Sequence, residues 1–155
     1  MSSHTHYVKP SGSADNLFQR AVTWLTRHGV SVYGSRILRV QGRASGLWRE
    51  VPVNPLVLDG RRYLVAPRGQ TQWVRNLRAA GQGELRLGRS TETFTAVELP
   101  DGDKVQVLRH YLRRWGFEVG RFFDGVTAKA PDSELQRIAG RHPVFEITVT
   151  SSTHS

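Results

Sequence analysis

The architecture turns on the stretch RILRVQGRASGLWREVPVNPLVLDGRRYLVA, Arg36–Ala66. Its apolar residues recur with a period of two. Ile37 to Gln41 alternates as one strand. Trp48 to Leu58 reads as a second, long strand, with Val51, Val53 and Val57 on one face. Pro52 and Pro55 place that strand at an edge or give it a bulge, since proline donates nothing to a ladder. Asp59-Gly60 is a strong hairpin signal, and Arg61 to Ala66 returns as a third strand. The expectation is an antiparallel meander of three locally connected strands.

The first two strands are joined by Gly42-Arg43-Ala44-Ser45-Gly46-Leu47-Trp48-Arg49. Glycine permits positive φ and close backbone approach, and a tight turn can gather N–H groups into an anion-binding nest. Arg43 and Arg49 offer paired donors to a phosphate or carboxylate. A hairpin turn with solvated arginines explains the octapeptide equally simply.

After the third strand, Pro67-Arg68-Gly69-Gln70-Thr71 breaks the pattern. Thr71 is placed to cap a helix over Gln72 to Ala80, with Val74 and Leu77 inward and Gly81 ending it. A helix start presents unpaired N–H groups and a positive dipole end. Trp73, Arg75, Asn76 and Arg78 lie on that helix. In a meander the loops at 43–46 and 67–71 share one end of the sheet. Arg43, Arg49, Arg68 and the helix start are therefore expected to converge.

The rest of the chain extends this frame. Residues 1–13 form a polar arm, expected to be flexible. Ala14 to His28 reads as a helix with Leu17, Ala21, Trp24 and Leu25 as its stripe. That helix either covers the core or touches a membrane surface peripherally. Glu84 to Leu87 and Thr91 to Leu99 pair as strands around Gly88-Arg89. Lys104 to Trp115 is a helix with Val105, Leu108, Leu112 and Trp115 on its apolar face. Residues 116–131 read as irregular and aromatic, Ser133 to Ala139 as a short helix, and Pro143 to Thr150 as a last strand. One domain is expected over 14–150, followed by a frayed tail, 151–155. The class is α+β, with a small antiparallel barrel to remove sheet edges; an OB-fold is the rival.

The 155 residues carry a formal charge of +9, from 22 Lys and Arg against 13 Asp and Glu, which favours polyanionic partners. No apolar run reaches transmembrane length. No basic segment followed by an apolar one opens the chain. The absence of cysteine excludes disulfides, thiolate metal sites and a cysteine nucleophile. A cytoplasmic location is the resulting expectation. The chain has no nucleophile elbow, HExxH, P-loop or dinucleotide fingerprint. The histidines lack metal-ligand spacing, so no metal and no catalytic side chain are assigned. An enzyme built this way needs a cofactor that carries the chemistry.

The ordered set Gly42-Arg43-x-Ser45-Gly46-x-x-Arg49, Asn54-Pro55-Leu56, Asp59-Gly60, Ala66-x-Arg68-Gly69 and Trp73-x-x-Asn76-Leu77-Arg78-Ala79 resembles the deazaflavin-dependent nitroreductase family. These are split β-barrel reductases, similar to the barrels that bind flavin mononucleotide, and they use reduced coenzyme F-420. The resemblance implies an α+β antiparallel split barrel with flanking helices. It implies that Arg43, Ser45, Gly46 and Arg49 hold the phosphate and oligoglutamate tail, with Arg68 contacting the same tail. Asn54, Gly69, Trp73 and Asn76 join them in the coenzyme site. Ala44 departs from the family's usual lysine, and Pro67 stands where a serine often faces the ring. The implied reaction is hydride transfer to a small electron-poor acceptor: a quinone, a nitro compound or an enone. Tyr111, Trp115, Phe122 and Phe123 are the candidate acceptor pocket, chosen from aromatic density. A homodimer is expected. The alternatives are a flavin mononucleotide- or haem-binding split barrel, over which the motif order favours the deazaflavin reductase, and, third, a basic nucleic-acid-binding barrel, suggested by the charge of +9 and four tryptophans.

Overall fold

In a computed structural model, which describes residues 35–154, seven strands form one antiparallel sheet in the order β2-β1-β5-β6-β7-β4-β3. The strands are β1 (Arg36–Gln41), β2 (Trp48–Val53), β3 (Leu56–Leu58), β4 (Arg61–Val65), β5 (Gln82–Leu87), β6 (Ser90–Glu98) and β7 (Val144–His154). The sheet curls into a half-barrel, the split-barrel arrangement expected from the sequence. The arm 1–13 and the helix read at 14–28 lie outside the described residues.

The meander is corrected. The long strand read from Trp48 to Leu58 breaks at Asn54-Pro55 into β2 and β3, which occupy opposite edges of the sheet. β2 pairs with β1, while β3 pairs with β4 and β4 pairs with β7. Pro52 and Pro55 act here as the edge markers that a missing N–H makes them, but the chain crosses from edge to edge instead of bulging. The last strand runs on through His154, where a frayed tail was expected, because Ser151–His154 pair with Ser90–Thr93 of β6. A register shift between Thr93 and Phe94 bends this ribbon.

Two cores flank the curled sheet. Alternation sends Leu38 and Val40 of β1, Leu64 of β4, Leu85 of β5 and Phe94 of β6 into the barrel. Helix α1 (Gln72–Ala80) lies across that end of the barrel and buries Val74 and Leu77 against them. On the other face Tyr63 and Val65 of β4 meet helix α2 (Val105–Val119), and the short helix α3 (Asp132–Ile138) completes the cluster. α2 runs a turn beyond Trp115, through Gly116, because Val119 continues its buried stripe. Lys104, buried at its start, donates to the Ala139 carbonyl at 3.0 Å and pairs with Asp101 at 2.8 Å. Among the described residues no helix is long and apolar enough to cross a membrane.

Candidate coenzyme site

The expected convergence survives the change in topology. β1 and β4 run the same way, because four antiparallel pairings separate them, so the loops that follow both lie at the end of the barrel that α1 covers.

The first loop is built tightly. Gly42 N–H donates to the Leu47 carbonyl at 2.7 Å, and Gly46 N–H donates to the Gly42 carbonyl at 2.8 Å. Leu47 N–H donates to the Ser45 hydroxyl at 3.1 Å. A Cβ on Gly42 would stand 2.7 Å from the Ser45 hydroxyl, and Gly46 has a φ of +73°. The left-handed backbone at Gly46 favours glycine, whereas at Gly42 the Ser45 hydroxyl would have to turn away to admit a Cβ. The fourth donor, Arg43 N–H, goes to the Asn76 side-chain carbonyl at 3.1 Å. These four N–H groups are engaged within the loop or by Asn76.

Arg43 reaches the first turns of α1. Its guanidinium donates to Asn76 Oδ1 at 2.8 Å and to Gln72 Oε1 at 2.9 Å. Both acceptors are neutral, so the guanidinium keeps its charge and has donors to spare. Gln72 and Asn76 stand one helical turn apart, a spacing that puts two acceptors on one face. That spacing was the available sequence signal for Gln72, which the motif comparison passed over. Asn76 is buried, and both its partners are donors, which fixes its carbonyl toward the loop.

The start of α1 is open to an anion. Its first turn contains no acidic residue, and Thr71 stands at the cap position without making the side-chain cap bond expected of it. The Thr71 hydroxyl is buried, with no partner among the described residues. The preceding loop is braced from behind. Ala66 N–H donates to the Pro143 carbonyl at 2.9 Å, and the His142 ring nitrogen Nδ1 lies 3.3 Å from the Ala66 carbonyl. Gly69, at φ +83°, passes so close to the Arg141 carbonyl that a Cβ would stand 3.1 Å from it. Arg68 lays its guanidinium over the Phe122 ring at 5.0 Å, and Arg121 packs on the same ring at 4.8 Å. Arg43, Arg49, Arg68 and Arg121 take no part in the ion pairs among the described residues. Arg78, by contrast, is neutralised by Glu98 through two contacts of 2.7 and 2.8 Å.

The structure thus fastens the loop of Arg43, Ser45 and Gly46 to Asn76 and places Arg68 and Gly69 at the same end of the sheet, with Arg49 exposed on β2 next to the loop. Trp73 is half-buried and leans on Phe145 of the barrel core at 6.1 Å. Asn54 stands apart: β2 carries it to the opposite end of the sheet, where its carbonyl accepts from the Ser35 hydroxyl at 2.7 Å. The aromatic group also divides. Tyr111, Trp115 and Phe123 are core residues, with Tyr111 5.1 Å from Trp115 and 6.3 Å from Phe123. Burial holds the Tyr111 hydroxyl far above its ordinary pKa, so it stays neutral. Phe123 stacks on His142 at 4.0 Å. Of the four, Phe122 is the one that comes to the arginine-lined surface.

This arrangement has a counterpart among known proteins. The family model described as F-420H(2)-dependent quinone reductase matches residues 17–138. The chain belongs to that family. Coenzyme F-420 is accordingly its cofactor, and the fit is seen in the donor set: cationic side chains without carboxylate partners among the described residues, beside a helix start without an acid. No curated protein matches the sequence. Solved structures share the fold at low identity. A chain solved as a domain-swapped dimer is 18% identical, with a TM-score of 0.54 over 90% of this chain and 100% of its own. An F-420H(2)-dependent reductase is 19% identical, with a TM-score of 0.50 over 74% of this chain and 94% of its own. A pyridoxamine 5'-phosphate oxidase-like protein from Listeria innocua is 11% identical, with a TM-score of 0.53 over 89% and 97%. The family's members are F-420-dependent reductases, so the sequence-level resemblance to deazaflavin-dependent split barrels holds at that level.

Proposed function

We propose that this chain reduces a quinone with hydride from reduced F-420, and that nitro compounds and enones are poorer acceptors. The family description supports a quinone in first place. The observation that carries the site assignment is the fastening of the Arg43 loop to α1 through Asn76 and Gln72, which holds a charged guanidinium beside an acid-free helix start. Arg43, Arg49 and Arg68 would hold the anionic tail, with the first N–H groups of α1 as neutral donors. When bound, the reduced deazaflavin supplies the hydride. The protein's part is to position the reactants and keep water from them. Phe122, its ring already engaged by two guanidinium groups, offers a planar apolar wall for a planar acceptor. A homodimer belongs to this reading by analogy of fold alone, and light scattering on the purified protein tests it.

Titration with F-420, followed by its fluorescence, is the deciding experiment. Loss of a charge-assisted contact is worth about 1.5–3 kcal/mol, so Arg68→Ala should raise Kd about 10- to 100-fold, and the exposed Arg49→Ala toward the low end. Micromolar binding of flavin mononucleotide with none of the deazaflavin would sink the proposal. Turnover of menadione no faster than that of a nitroarene or an enone would remove the quinone preference.

A further inference from the structure

The Arg68 loop and the turn that carries Phe122 meet on one buried side chain, His142. β4 ends at Val65, and the loop leaves the ladder at Ala66, whose N–H still donates to the Pro143 carbonyl at 2.9 Å. The Ala66 carbonyl takes the Gly69 N–H at 3.2 Å from within the loop and lies 3.3 Å from His142 Nδ1. A carbonyl only accepts, so Nδ1 carries the ring's proton and donates it to Ala66. That fixes the tautomer: Nε2 is bare, buried and without a hydrogen bond among the described residues. Burial keeps the ring neutral. The nearby Lys104 and Arg141 cations, paired with Asp101 and Asp124, add to this, while the Ala66 and Pro67 carbonyls oppose it. The face of the ring lies against Phe123, 4.0 Å away and 13° from parallel. Phe123 is fully buried, and its chain neighbour Phe122 is the ring that Arg68 and Arg121 cover. Two segments distant in sequence thus rest on one imidazole, one on its edge and the other on its face.

We propose that His142 is a positioning residue of the coenzyme site: its Nδ1–H holds the Ala66 end of the Arg68 loop against the Phe122 turn, so that Arg68 is aimed before the coenzyme arrives. The inference rests on the reading that Arg68 receives the anionic tail. His142 is buried and acts through Arg68. A long arginine on a free loop loses backbone and side-chain freedom when it engages an anion. A loop already fixed at Ala66 has less to lose, and the difference appears as affinity. The stack on Phe123 locates the imidazole, and the N–H is what reaches the loop.

The test titrates F-420 into the full chain and reads its fluorescence. His142→Phe keeps the stack and deletes the donor, whereas His142→Asn puts an amide N–H near the place of Nδ1. His142→Phe should raise Kd about threefold to tenfold, the scale of one neutral hydrogen bond, and His142→Asn should recover most of the loss. Added to Arg68→Ala, His142→Phe should change Kd by less than about a factor of two, because the side chain that it aims is already gone. An Asn variant that binds no better than the Phe variant would overturn the assignment. So would a His142→Phe effect as large without Arg68 as with it, since general loosening of the core produces both results. Heteronuclear NMR of the ring nitrogens tests the same point on wild-type protein: a His142 proton on Nε2 leaves Nδ1 nothing to donate and also overturns it. If Arg68→Ala binds F-420 as tightly as wild type, the tail reading falls and the assignment falls with it. A weakened Arg68→Ala beside an undiminished His142→Phe removes the assignment alone.

Discussion

Asn76 is one polar group that holds two elements together, and removing it tests the site's construction directly. Its Oδ1 accepts the Arg43 N–H at 3.1 Å and the Arg43 guanidinium at 2.8 Å, and the residue is 5% exposed. A neutral hydrogen bond contributes about 0.5–1.5 kcal/mol and one to a charged group about 1.5–3. Truncation to alanine also leaves a half-buried N–H unsatisfied. Asn76→Ala should therefore lower unfolding free energy by about 2–4 kcal/mol in urea. Arg43→Ala keeps the backbone bond and should cost clearly less. The double variant should fall short of the sum, since both changes remove the same contact. Asn76→Asp separates stability from binding. It preserves both acceptors but neutralises Arg43, so F-420 should bind about tenfold or more weakly at pH 7 even where the fold is intact. An Asn76→Ala protein within about 0.5 kcal/mol of wild type, or an Asn76→Asp protein with undiminished coenzyme affinity, would refute the clamp; a smaller loss than that lies inside ordinary surface variation.

Three further outcomes follow from the packing. Burial depresses the His142 pKa from 6.5 to about 4, so the unfolded chain binds the proton first. Its contribution is complete above pH 6.5 and is lost as pH falls toward 4, by about 3 kcal/mol at most; if urea midpoints of wild type and His142→Gln change in parallel across that window, the assignment is wrong. Trp115→Ala should destabilise by about 3–5 kcal/mol while leaving F-420 affinity within a factor of two or so, because the indole is fully buried in the α2 cluster; a selective loss of coenzyme or acceptor binding would return Trp115 to the site. Gly69→Ala forces a side chain into a left-handed backbone against the Arg141 carbonyl, so it should cost about 1–2 kcal/mol and weaken F-420; unchanged melting and binding would show that the loop relaxes freely.

The sequence revealed what was local. β1, the β5–β6 hairpin around Gly88-Arg89, and α1 between Thr71 and Gly81 each carry their own start, stop and period, and they stand close to where those signals put them. What depended on distant partners was hidden. Pro52 and Pro55 announce an edge, but nothing near Asn54 says that the chain changes edges there, because β3 finds its partner in β4 and β2 in β1. Ser151–His154 has no apolar pattern, and it is a strand only because β6 offers a ladder to complete. The site divides the same way. The glycine and arginine spacing made the loop conspicuous, whereas the burial of Asn76, the orphaned Thr71 hydroxyl and the stacking of Arg68 on Phe122 are products of packing. Aromatic density misled for the same reason: Tyr111, Trp115 and Phe123 are clustered because a core needs volume.

The placement of β7 between β6 and β4 has a consequence for biosynthesis. Until residues near Ile147 emerge from the ribosome, β6 and β4 each present a bare edge and the two halves of the sheet have no seam. Leu64 must meet Phe145 across most of the described chain, so the closing step is among the most non-local available to it. Such pairings form slowly and leave strand edges exposed to other chains meanwhile. A nascent chain stalled before β7 should therefore be a client of holdase chaperones, while a chain released after it covers the bare edges of β6 and β4.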